Sequence, residues 1–88
     1  MSSSDFEAAS HRPDVRYDAG DMGCGEGLHM EFRRRMQGLD VGQLIEFVVR
    51  DSSAKEDLPS CARMLGHRVR SVEDHTDGSM SVIVERAR

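Results

Sequence analysis

Residues 15–39 read VRYDAGDMGCGEGLHMEFRRRMQGL, and within this stretch the period of the pattern changes. Val15-Arg16-Tyr17-Asp18 alternates apolar and polar side chains, the period-two signature of a short strand. Asp18 to Gly27 then contains Gly20, Gly23, Gly25 and Gly27, a density that reads as a loop with Cys24 in its middle. From Leu28 the apolar residues Leu28, Phe32, Met36 and Leu39 are spaced four, four and three apart, which is one stripe along a helix. Gly38 or Gly42 ends that helix.

Further along, Gln43 to Arg50 reads as a second strand, with Ile45, Phe47 and Val49 facing one way and Glu46 and Arg50 the other. Asp51-Ser52-Ser53 breaks it. Ser53 and Glu56 have capping-box spacing, so a helical turn can start there. Pro59 predicts that the main second helix begins just before it, with Asp57 as the N-cap. Leu58, Cys61 and Leu65 share its apolar face, and Gly66 stops it. His67 to Glu73 is a third strand and Asp77-Gly78 a turn. Met80, Val82 and Val84 form the alternating face of a fourth strand. The order is βαβαββ. Half-polar strands imply that helices cover one sheet face, which predicts a two-layer α/β sandwich with a four-stranded mixed sheet. Residues 1–13 carry no clear period and read as a flexible tail, leaving 14–88 as a single domain.

Composition narrows the function classes. With 88 residues the chain has the length of one domain. The 38% hydrophobic and 32% charged content is neither disordered nor membrane-like. No apolar run reaches the length of a membrane span or signal-peptide core, so a cytoplasmic location is expected, with no membrane partner. The formal net charge of −4 argues against direct nucleic-acid binding, although local arginine clusters suit an acidic partner. Two cysteines without a C-x-x-C pair supply neither a disulfide framework nor a zinc site. Both are expected as thiols, and no metal or cofactor is expected.

Cys24 is the candidate reactive group. It precedes the helical stripe, where unpaired backbone N–H groups and the helix dipole favour a negative charge such as a thiolate. Gly25, Glu26 and Gly27 form the helix start that supports it, with the Glu26 carboxylate opposing a second anion. No Cys/His/Asp constellation of a hydrolase is evident. Cys61 lies on an apolar stripe and reads as an inert core thiol. His29, in the first helical turn, reads as a surface residue that could also serve as donor or metal ligand beside Cys24. His67 reads as a local cap or packing group, while His11 and His75 fall in tail and loop. The methionines read as core filler. Of the run Arg33-Arg34-Arg35, a solvated helix face, Arg33 and Arg34 are candidates for partner docking.

These residues resemble a known family. The stretch from Tyr17 to Gly27 resembles the active loop of the TusA-like (SirA-like) sulfur-carrier proteins, D-x-x-G-x-x-C-P-x-P after the first strand. Gly42 to Val49 is similar to the family's second strand. Arg50-Asp51-Ser52-Ser53-Ala54 stands where the family has D-D-P-A or similar. Asp57-Leu58-Pro59 matches its D-I-P helix start, and Gly66-His67-Arg68-Val69 its G-H-x-V. The resemblance runs from about Val15 to Glu85. It implies a βαβαββ sandwich, a persulfide carried on Cys24, a donor protein of cysteine desulfurase or rhodanese type, and an acceptor protein in tRNA thiolation, cofactor biosynthesis or sulfur metabolism. Two departures stand out. Gly25 and Gly27 replace the two prolines, which loosens the turn and restores two N–H groups. Asp18 to Gly20 is one residue shorter than D-x-x-G, which leaves Gly20 and Asp21 to share the glycine's role. A regulatory or redox-sensing binding module on the same fold is the alternative, and a metal site from Cys24, His29 and Glu26 is a distant third.

Overall fold

The computed structural model describes residues 12–23, 25 and 27–88; residues 1–11, Cys24 and Glu26 lie outside the described residues. Four strands and two helices follow in the order β1 (Val15–Asp18), α1 (Leu28–Gln37), β2 (Leu44–Val49), α2 (Ser52–Met64), β3 (Arg68–Asp74) and β4 (Met80–Glu85). The sheet order is β1-β2-β4-β3. β1 runs parallel to β2, while β4 is antiparallel to both β2 and β3. Hence β1, β2 and β3 share one direction, and both helices start at the same end of the sheet. The fold is the two-layer α/β sandwich with a mixed sheet that the pattern predicts.

The core is the meeting of the predicted stripes. Leu28, Phe32, Met36 and the post-helical Leu39 are buried, as are Ile45, Phe47 and Val49 of β2 and Met80, Val82 and Val84 of β4. Phe32 packs on Phe47 with ring centroids 5.0 Å apart. Tyr17 meets Phe47 edge-on at 6.0 Å. Fully burying each such side chain contributes roughly 1.5–3 kcal/mol. Strict alternation fails in β2, where Leu44 and Val48 are buried too. The strand lies between β1 and β4, and Val48 is flanked in the ladder by Asp18 and Ser81.

The start of α2 corrects the expectation drawn from Pro59. The helix begins at Ser52, and its N-cap is Asp51 rather than Asp57. The Asp51 carboxylate accepts from the Ala54 N–H at 3.0 Å and from the Ser53 hydroxyl. A capping box on Ser53 and Glu56 is therefore not used. Pro59 sits inside the helix and is itself buried, so apolar packing outweighs the lost N–H bond. The helix closes in a Schellman motif on Gly66 (φ +87°), with Gly66 N–H donating to Arg63 O at 3.0 Å and His67 N–H to Ala62 O at 2.9 Å.

On the far side of the sheet the polar side chains bond to one another. The Ser81 hydroxyl donates to Glu46 Oε2 at 2.6 Å and lies 2.7 Å from His75 Nε2. His75, expected as a loop residue, thus holds a sheet-face contact. Among the described residues no helix is long and apolar enough to cross a membrane.

Candidate functional site

The end of the sandwich where β1 and β2 finish is also where α1 and α2 begin. The chain leaving β1 is tied down residue by residue. Ala19 N–H donates to Val48 O at 2.8 Å, and Asp18 Oδ1 accepts from Gly20 N–H at 2.8 Å in an Asx turn. Gly20 takes φ +59° and accepts from Arg50 N–H at 3.2 Å. Gly20 therefore turns with Asp18 as its partner, and not with Asp21, which is exposed. Met22 packs half-buried on the core.

Gly23, the residue before Cys24, is buried against the N-cap of α2. A Cβ there would stand 3.1 Å from Asp51 Oδ2. Hydrogen bonds from the Ser53 hydroxyl first, then from backbone N–H groups, hold the Asp51 carboxyl below its ordinary 3.8. Neither Gly23 nor Asp51 stands out as a site residue in the sequence, because their contact joins two segments 28 residues apart. The sequence signals are the glycine density around Cys24 and the place of Asp51 in the stretch that stands where the family has D-D-P-A.

Of the expected site residues, Cys24 and Glu26 lie outside the described residues. Gly25 is exposed, and nothing lies within 4 Å of where its Cβ would be. Gly27 is the N-cap of α1 at φ +99°. Having no side chain, it cannot cap the N–H groups of the first turn, and no side chain among the described residues caps them. α1 then buries Leu28 and exposes His29 and Met30. Met30 is 77% exposed and Met64 83%, so these two are surface groups rather than core filler. Met30 therefore puts a large apolar side chain on the surface in the turn that follows Cys24 in the chain.

His29 reaches across to α2, where its Nδ1 lies 3.5 Å from Cys61 Sγ. Cys61 is half-buried rather than a sealed core thiol. Burial pushes its pKa up, with Arg33 opposing and Asp57 adding to the rise. This thiol is disfavoured as an anion and suits packing between helices.

The arginine run splits three ways. Arg35 pairs with Glu31 at 3.0 Å and stacks over the Tyr17 ring at 4.2 Å. Arg34 lines a groove beside β1 with Val15 and Tyr17. Arg33 faces a separate cleft at the other end of the helices. Among the described residues no group of three or more His, Cys, Asp or Glu side chains could hold a metal ion.

The described residues hold Gly23 against the cap of α2 and set Gly27, which has no capping side chain, at the start of α1. The sequence model of the family described as Sulfurtransferase TusA matches residues 27–86, from the N-cap of α1 through β4. The match begins three residues after Cys24. A comparison with curated proteins found no match.

Proposed function

The chain belongs to the sulfurtransferase TusA family, and from that premise we propose that it is a sulfur carrier that holds persulfide sulfur on Cys24. The Cys24 thiolate attacks the terminal sulfur of a donor persulfide. The donor S–S bond breaks, its thiolate leaves and takes up a proton, and a new S–S bond forms on Cys24. An acceptor thiolate then attacks the same terminal sulfur and Cys24 departs as thiolate. Each transfer is redox-neutral, so the carrier needs no cofactor.

The observation that carries this reading is the anchored approach to residue 24. Gly23 lies on the capped start of α2, and Gly27 begins α1 without a capping side chain. Backbone N–H groups at such a start favour thiolate and persulfide anions alike. Donors of cysteine desulfurase or rhodanese type fit this chemistry, as does a protein acceptor in a cytoplasmic sulfur-trafficking pathway. The test is mass spectrometry after incubation with a cysteine desulfurase and cysteine. One added sulfur atom on the Cys24 peptide, absent in Cys24→Ser and removed by a thiol acceptor, is expected. Wild-type protein left unmodified by a competent donor would sink the proposal.

The second reading, a regulatory or redox-sensing module, draws on one observation: the family match starts beyond Cys24. A Cys24→Ser variant that keeps full cellular function would favour it.

A further inference from the structure

The far end of the molecule, where both helices finish, carries a cleft of about 200 Å³. α1 has ten residues, so this end lies about 15 Å along the helix from its start. Arg33, Arg86, Arg88 and His67 line the cleft together with the apolar side chains of Met36 and Leu65. The chain has 16 acidic residues against 12 basic ones, yet no Asp or Glu among the described residues lines this cleft. Elsewhere Arg16, Arg35, Arg50 and Arg70 each pair with a carboxylate. The Arg33 and Arg88 side chains pair with none among the described residues.

Part of this charge serves the fold. Arg86 donates through Nη1 to Gln37 O at 3.2 Å and to Leu39 O, and through Nε to Arg88 O at 2.8 Å. It thereby satisfies carbonyls at the C-terminal end of α1 and is fixed in place. The other groups are not absorbed in this way. The Arg88 side chain lies over Gly66, whose missing Cβ leaves the room. His67 Nδ1 accepts from Ala87 N–H at 3.2 Å, which leaves the ring proton on Nε2 as a donor. The Arg33 guanidinium bonds to no side chain among the described residues.

We propose that this cleft is a docking site for an acidic segment of a partner protein, one with an apolar side chain between carboxylates. The apolar residue would meet Met36 and Leu65, and the carboxylates would meet Arg33 and Arg88, whose planar forks match a carboxylate's two oxygens. The excess of positive groups is felt within the site. After burial, Arg86 and Arg88 are what hold the His67 pKa below its usual 6.5. The net charge of −4 opposes a polyanion as large as nucleic acid, whereas a short acidic segment meets only the local field. A partner held here leaves open the end where α1 and α2 begin. The proposal rests on the cleft and stands whether or not Cys24 carries sulfur.

A labelled peptide, Glu-Glu-Leu-Glu-Glu, tests it by fluorescence anisotropy on the full chain. Saturable binding is expected that weakens with added salt and is absent for Lys-Lys-Leu-Lys-Lys. Arg33→Glu and Arg88→Glu should each weaken it at least about tenfold, and Arg34→Glu by less than about twofold. Equal losses for Arg34→Glu, or no saturation, overturn the proposal. Displacement of the peptide by inorganic phosphate, beyond that by sodium chloride of equal ionic strength, makes the cleft a small-anion site and also overturns it. Should a cleft variant not fold, wild-type protein decides: peptide binding must shift the His67 ring resonances, and unmoved resonances refute the assignment.

Discussion

Gly23 lies against the carboxylate of Asp51, close enough that a Cβ at position 23 would stand 3.1 Å from Oδ2. That carboxylate is not free to retreat, since Ser53 and Ala54 both bond to it. The cap of α2 thus also seats the residue before Cys24. Gly23→Ala is expected to lower stability by about 1–2 kcal/mol in urea unfolding. Asp51→Ser keeps a capping oxygen on a shorter side chain. The double variant should therefore recover most of the loss. Additive losses would mean that the two residues are not coupled in this way.

The bonds to this carboxylate set an acid limit. The Asp51 carboxyl titrates below its ordinary 3.8 in the folded chain. A group depressed on folding contributes stability above its unfolded pKa, and loses it as pH falls through the folded pKa. Asp77, drawn down to about 2 chiefly by the Ser79 hydroxyl and N–H, adds to the same limb. Asp51→Ser and Asp77→Asn should each flatten the fall in urea midpoint between pH 4 and pH 2. An unchanged slope in both would remove these carboxylates from the account.

Gly27 at φ +99° and Gly25, outside the left-handed region, occupy the family's two proline positions on unequal terms. Proline requires φ near −65°. Gly27→Pro is expected to destabilise by more than about 1 kcal/mol, and Gly27→Ala by about 1 kcal/mol. Gly25→Pro meets no left-handed backbone and no neighbour within 4 Å of its Cβ, so its loss should be smaller. Restoring the family's C-P-x-P in full would therefore require the N-cap of α1 to adopt another conformation. Equal unfolding midpoints for Gly25→Pro and Gly27→Pro would refute this.

Periodicity made the core legible. Leu28, Phe32 and Met36 in α1, and Ile45, Phe47 and Val49 in β2, could be placed because a helix or strand face is a local property. Pro59 misled because its penalty is local while its compensation is tertiary: the ring is buried, and Asp51, eight residues earlier, caps the helix. The Gly23–Asp51 and His29–Cys61 contacts join segments 28 and 32 residues apart, which no local pattern encodes. Around Cys24 the glycines could be read as a loop, but not their division of labour: Gly20 for a turn, Gly23 for close approach, Gly27 for a left-handed N-cap.

His67 introduces a pH dependence nearer neutrality. Burial first, then Arg86 and Arg88, hold its folded pKa below 6.5. Its contribution to stability is present above that value and is lost as pH falls through the folded pKa. His67→Asn retains an acceptor for Ala87 N–H but does not titrate. The wild-type urea midpoint should fall between pH 7.5 and pH 5 by more than that of His67→Asn. Parallel profiles would count against the assignment.

Met30 and Met64 are comparably exposed methionines at opposite ends of the two helices. Met30 stands in the first turn of α1, the turn that follows Cys24 in the chain. Met64 is the last residue of α2. A sulfur donor that reaches Cys24 must cover the surface around it, and a large apolar group there is the kind that binding interfaces use. Neither side chain holds the core, so Met30→Asp and Met64→Asp should leave the unfolding midpoint within about 0.5 kcal/mol of wild type. Met30→Asp is expected to slow persulfide loading from a desulfurase severalfold, and Met64→Asp to leave it unchanged. Equal rates in the two variants would show that the donor does not use the start of α1.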